Sequence, residues 1–101
     1  MKNGYYIDDK GIKKIIPSDT KVLNLSFKNL VEIVCNSELK ELWCSNNQLT
    51  KLILNNKLKE LCCWNNKLTT LILNDKLETL YCDINTKLNN INNKTNIYAY
   101  N

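Results

Sequence analysis

The chain has 101 residues, 44% of them hydrophobic and 24% charged, which suits one small domain of ordinary globular composition. Its formal charge is +4, and all 14 basic residues are lysine, which disfavours the bidentate arginine contacts that read phosphate and guanine. There is no histidine, no apolar run long enough to span a membrane, and no segment laid out like a signal peptide.

In chain order, GYYIDDKGIKKI, which begins at Gly4, can be laid on ELWCSNNQLTKL, which begins at Glu41. Tyr5 then falls on Leu42, Ile7 on Cys44, Ile12 on Leu49 and Ile15 on Leu52. This predicts a cap coil over residues 1–19, its apolar places filled by bulkier or β-branched side chains. Pro17 restricts the link into the next coil. That second coil, 20–38, places Leu23 and Leu25 inward, Leu30 and Ile33 after a turn, and Cys35 at the last apolar place.

The next two segments, 39–57 and 58–76, read LKELWCSNNQLTKLILNNK and LKELCCWNNKLTTLILNDK, identical at 14 of 19 positions. This is an internal repeat. Leu42 and Cys44, like Leu61 and Cys63, follow the two-residue period of a strand with one buried face. Leu49, Leu52 and Leu54 continue no single helical stripe, so the chain turns and returns. Asn47 and Asn66 sit at that turn, where a short amide bonds nearby backbone and stacked copies form a ladder. Lys28 takes this place in the second coil, so the ladder is expected to start one coil late. A lone coil cannot cover its own leucines, and stacking buries them. The return segments TKLILNNK and TTLILNDK alternate like extended chain and are too short for a good helix.

The last coil, 77–96, keeps Leu77, Leu80 and Cys82 in register, and Leu88 then arrives one residue late. The spacing reads as one inserted residue between Asn85 and Lys87. On this register Ile97 repeats Leu77 in a closing strand, 97–101, and Tyr100 closes the core as Tyr5 opens it.

The pattern L-x-x-L-x-C-x-x-N-x-L resembles the leucine-rich repeat family, L-x-x-L-x-L-x-x-N-x-L, with cysteine at the sixth place. The Asn- and Lys-rich CSNNQL form is similar to repeats of giant DNA viruses and low-GC bacteria. The resemblance implies a solenoid with a parallel β-sheet on its concave face, an extended or 3₁₀ convex side and little or no α-helix. It also implies binding as the activity, since the family's members are mostly interaction scaffolds.

Cys44, Cys63 and Cys82 share one inward place in successive coils, and with Cys35 they read as reduced, buried thiols. With no C-x-x-C and no histidine, neither a zinc site nor any other cofactor is expected. Scattered lysines read as a solvated surface, so no nucleic acid is expected as partner, and no membrane. Asn24-Leu-Ser26 and Asn93-Lys-Thr95 match the glycosylation pattern, read here as chance in an Asn-rich chain. The expected setting is the cytoplasm, or the host cytoplasm for a viral chain.

Side chains between the buried strand places form the exposed columns of the concave face. The first holds Gly4, Val22, Glu41, Glu60 and Thr79; the second Tyr6, Asn24, Trp43, Cys62 and Tyr81; the third Asp8, Ser26, Ser45, Trp64 and Asp83. Trp43, Trp64 and Tyr81 should be neighbours at the strand spacing of about 4.8 Å. Aromatic rings flanked by carboxylates are what a protein-binding hot spot needs. The partner-binding residues expected are therefore Tyr6, Asn24, Glu41, Trp43, Glu60, Cys62, Trp64, Thr79, Tyr81 and Asp83. Open carboxylates offer nothing that raises a pKa or excludes water, so no enzyme is expected. The alternative to binding a partner, as a monomer or weakly self-associated chain, is a structural role by assembly through terminal edges.

Overall fold

The computed structural model describes residues 1–101 and is built of strands alone, without a helix. They are β1 (Gly4–Asp8), β2 (Lys13–Ile16), β3 (Val22–Asn24), β4 (Leu30–Val34), β5 (Glu41–Trp43), β6 (Lys51–Ile53), β7 (Glu60–Cys62), β8 (Thr70–Ile72), β9 (Thr79–Asp83), β10 (Lys87–Asn89) and β11 (Asn96–Tyr100). The chain is a β-solenoid of about 4 turns. One face is a five-stranded parallel sheet in the order β3-β5-β7-β9-β11. The return strands form two further sheets opposite it, β2-β1-β4-β6 and β8-β10. The return path is thus extended chain, as the alternation in TKLILNNK predicts.

Register follows the repeat. Leu42 pairs with Leu61 and Leu61 with Leu80, and all three are fully buried. Leu49, Leu52, Leu58, Leu71, Leu73 and Leu77 join them in one core of 19 residues, with Cys35, Cys44, Cys63 and Cys82 among its members. Each coil hides its leucines only against the next coil, which is why no thicker core is needed.

Two ladders of asparagine hold the turns. Asn47 Nδ2 donates to Leu25 O at 2.9 Å and Cys44 O at 3.0 Å, and its Oδ1 accepts from Lys28 N and Leu30 N. Asn66 repeats this one coil later, donating to Cys44 O and Cys63 O and accepting from Leu49 N. The ladder begins at Asn47, one coil after Lys28. A second ladder, Asn36, Asn55 and Asn74, holds the opposite turn: Asn55 Nδ2 donates to Asn36 O at 2.7 Å, and Asn74 Nδ2 to Asn55 O at 2.8 Å. The sequence reading did not assign this second ladder. Asn46 and Asn65 adopt φ of 58° and 57°, a left-handed conformation that asparagine tolerates.

The N-terminus departs from the expected cap coil. β1 and β2 form an antiparallel hairpin, and β1 pairs antiparallel with β4 in the sheet opposite the five-stranded one. Tyr5 faces outward there, while Tyr6 packs on the core. The physical reason is local. Asp8 Oδ1 accepts from Lys10 N and Ile12 N, and Gly11 takes φ of 80°, which closes a tight turn between two alternating runs. At Gly4, an added Cβ would lie 2.2 Å from Val34 O, so only glycine lets β1 approach β4. The hairpin is tied further by a 2.5 Å hydrogen bond from Tyr5 Oη to Glu32 and by Lys13 Nζ lying 4.2 Å over the Tyr5 ring.

The C-terminus also departs from the expected register. Leu88 pairs with Leu71 and Ile97 with Leu80, both at a shift of 17, so the last coil is two residues short rather than one residue long. Thr86 occupies the buried place of Leu68 and donates to Leu68 O at 3.2 Å. Tyr100 consequently lies opposite Asp83 on the five-stranded face, 46% exposed, and closes no core.

Candidate functional site

The parallel register lines up three exposed rows across the five-stranded sheet. The first is Val22, Glu41, Glu60, Thr79 and Asn96. The second is Asn24, Trp43, Cys62, Tyr81 and Tyr98. Trp64, just beyond β7, stands with Asp83 and Tyr100 in the third. Tyr6 is not among them: the hairpin puts it in the opposite sheet, so it is withdrawn from the candidate face. Gly4 and Asp8 leave the face with it, and Ser45 is buried at 5% exposure.

The rings cluster more tightly than the sequence suggested, and around different members. Tyr81 stacks on Tyr98 at 5.0 Å between ring centroids and 17° between planes, and on Tyr100 at 6.5 Å and 13°. Trp64 meets Tyr100 at 6.0 Å, tilted by 49°. Trp43 stands apart from this group. Its own rung neighbour is Cys62, and Tyr81 lies one strand further on. Tyr98 and Tyr100 were missed because the inserted-residue register sent them elsewhere; pairing Leu88 with Leu71 places them here.

The carboxylates play two different parts. Asp83 accepts from Asn65 N at 2.6 Å and Asn66 N at 3.0 Å, and so holds the turn of the preceding coil. It belongs to the scaffold. Glu41 and Glu60 are half-buried, lie side by side in register, and join neither ion pair of the molecule, which are Glu32 with Lys51 and Glu38 with Lys57. Like charges in direct register repel across a ladder. Asn24 is exposed and its Oδ1 accepts from Ser26 N, while Thr79 is half-buried beside Glu60.

Of five unpaired cysteines, Cys62 alone is only half-buried, and its Sγ lies 3.0 Å from Ser45 Oγ. Burial pushes the Cys35 thiol up to about 12 and drives Cys44, Cys63 and Cys82 in the same direction, keeping them protonated packing groups. No group of three or more cysteine and acidic side chains converges as a metal site would require. No helix is long and apolar enough to cross a membrane. A second concavity, a groove of about 320 Å³, lies on the opposite side between β6 and β8, floored by Leu52 and Leu71 with Thr50, Asn55 and Asn74 at its ends.

Comparisons with protein-family models, with curated proteins and with solved structures find no match.

Proposed function

We propose that this solenoid is a non-enzymatic interaction module of the leucine-rich repeat type that takes a protein partner on its five-stranded face. The observation that carries the reading is the contiguous cluster of Trp64, Tyr81, Tyr98 and Tyr100, with Trp64, Tyr98 and Tyr100 at 38%, 47% and 46% exposure. Tyrosine and tryptophan supply large, rigid contact area, and a contiguous exposed aromatic patch is uncommon without a partner. The repeat-family reading is supported by leucine and cysteine filling the buried L-x-x-L-x-C places and by the turn asparagines bonding the strand carbonyls. Reduced cysteines suit a cytoplasmic setting.

The test is capture from source-cell extract by the native chain and by Trp64→Ala/Tyr81→Ala/Tyr98→Ala/Tyr100→Ala, after circular dichroism shows both folded. A specific protein retained by the first and lost from the second supports the reading. Identical capture by both overturns it.

A second reading, a structural role through self-association, is favoured by β11. From Thr95 to Asn101 the chain carries neither charge nor proline, the two features that usually blunt an edge strand. Sedimentation would then show a mass that grows with concentration, and Tyr98→Lys would abolish that growth.

A further inference from the structure

Both ends of the solenoid leave strand edges unpaired, and the two ends differ. At the N-terminal end the hairpin carries the return sheet two strands, β1 and β2, past β4. Its outermost strand, β2, bears Lys13 and Lys14, and Lys21 precedes β3, so lysine blunts both edges there. At the other end β11 stands one strand beyond β10 and carries no charge from Thr95 to Asn101. Asn96 N donates to Glu78 O at 2.9 Å and Tyr100 O accepts from Ile84 N at 2.6 Å, so Asn96, Tyr98 and Tyr100 turn their backbone groups toward β9. By the alternation of a parallel ladder, Ile97 and Ala99 turn theirs outward, where no strand takes them. Their side chains lie on the core side, in register with the buried Leu80 and Cys82, yet Ala99 is exposed and Ile97 only half-buried.

We propose that β11 pairs antiparallel with β11 of a second copy, about a two-fold axis at Tyr98. The inference rests on the self-association reading above and names the partner, the strand and the register. Continuing the solenoid head to tail is barred. Seating β3 of a second copy on β11 would leave one strand's width between β10 and the second copy's β4, and its β1 and β2 need two. A two-fold pairing instead brings together two ends at which no strand stands beyond β10. Ile97 then faces Ala99 of the second copy, and Ala99 its Ile97, and each pair exchanges two hydrogen bonds that satisfy the outward groups. A large side chain meets a small one in both pairs. Tyr98 stands opposite its own counterpart and Asn96 opposite Tyr100, and no charged side chain is opposed along the strand. A register centred on Ile97 would set Ala99 against Thr95, whose N–H already donates to Asn92 O. One centred on Ala99 would carry Ile97 onto Asn101, outside the strand. The chosen register joins two five-stranded sheets into one and repeats the Tyr81–Tyr98 stack across the axis, in the isologous form that closes at two copies.

The experiment follows the mass of the chain by sedimentation velocity under reductant over a wide range of concentration, and repeats it for Ala99→Pro. Proline at this place removes an N–H that points away from β9, so circular dichroism should keep the native spectrum while dimerisation weakens by about tenfold or more. A second readout is mild oxidation in a Cys62→Ser background. Tyr98→Cys should form a disulfide dimer, and Asn96→Cys mixed with Tyr100→Cys a mixed one, because each pair is opposed at a Cα separation of about 4.5 Å, within disulfide reach. Asn96→Cys alone should form none. The expected mass levels at two chains. A mass that stays at one chain brings down the pairing and the self-association reading together. A mass that climbs past two chains and is abolished by Tyr98→Lys overturns the two-fold pairing and keeps the self-association reading. A dimer indifferent to Ala99→Pro also overturns the pairing. Should that variant fail to fold, trapping decides: the mixed disulfide supports the register, and its absence overturns it.

Discussion

Raising the pH from 8 to 10 should cost this protein about 4 kcal/mol of stability through three buried thiols. Burial pushes Cys35 up to about 12 and moves Cys44 and Cys63 the same way, from an ordinary value of 9.0. The folded state therefore keeps a proton that the unfolded chain releases. Stability from this source is complete below pH 9 and is lost as the pH climbs through 9 toward 12. At pH 10 an unfolded thiol is one unit past its midpoint, which is worth about 1.4 kcal/mol per group. Three such groups give about 4 kcal/mol, against about 5–15 kcal/mol for the whole stability of a domain this size. The assay is urea unfolding followed by far-ultraviolet circular dichroism at pH 8, 9 and 10, under reductant, on the native chain and on Cys44→Ala. Tyrosines and lysines titrate in the same range, so the difference between the two proteins isolates the thiol. Cys44→Ala should start less stable, yet lose about 1.4 kcal/mol less between pH 8 and 10. Equal losses in the two proteins would refute the argument that burial holds these thiols protonated.

A thiol reagent at neutral pH should label one cysteine quickly, Cys62, and the other four only on unfolding; fast labelling of two or more, counted by intact mass, contradicts the assigned burial. Asn66→Ala strands Leu49 N and the Cys63 carbonyl and leaves the Cys44 carbonyl with Asn47 alone, and should cost about 1–3 kcal/mol in chemical unfolding, as a buried group without its partner does. Gly4→Ala puts a methyl 2.2 Å from Val34 O and 2.5 Å from Asn36 N, so it should release the hairpin from β4 and lower the unfolding free energy by about 1–3 kcal/mol or more. Hydrogen exchange should be slower at Leu42 and Leu61 in the five-stranded sheet than at Leu71 in β8, whose strand bonds on one side only.

What the residues alone make legible is whatever recurs at 19. The leucine and cysteine columns, the strand and its extended return, and the Asn47–Asn66 ladder all follow from a period that two near-identical segments define. The ends are harder because each fits two structures. GYYIDDKG alternates as well for a hairpin as for a coil, and alignment to the repeat hides the Asp8 turn and the close approach at Gly4 that decide between them. At the other end, Leu88 and Ile97 lie nine residues apart. Leu68 and Leu77 share that spacing, and so do Leu71 and Leu80, so the interval could not choose between them. Only the pairing of Leu88 with Leu71 does, and with it Tyr98 and Tyr100 move onto the candidate face.

The two sides of the solenoid join their coils differently. Between the third and fourth coils β5 and β7 are hydrogen-bonded, whereas β6 and β8 on the far side are not. A groove of about 320 Å³ opens there, stapled at its two ends by Lys67 N donating to Leu49 O and by Asn74 donating to Asn55 O. The coils touch on the five-stranded side and part on the other at this one step, while β4 with β6 and β8 with β10 stay paired. Ile53 and Ile72, one repeat apart beside this groove, are 46% and 66% exposed. Tyr81 and Tyr98, on adjacent strands of the five-stranded sheet, lie 5.0 Å apart between ring centroids, close to the strand spacing of about 4.8 Å. The groove opens between the third and fourth coils, whereas the ring stack joins β9 to β11, so the two features arise at different steps of the solenoid.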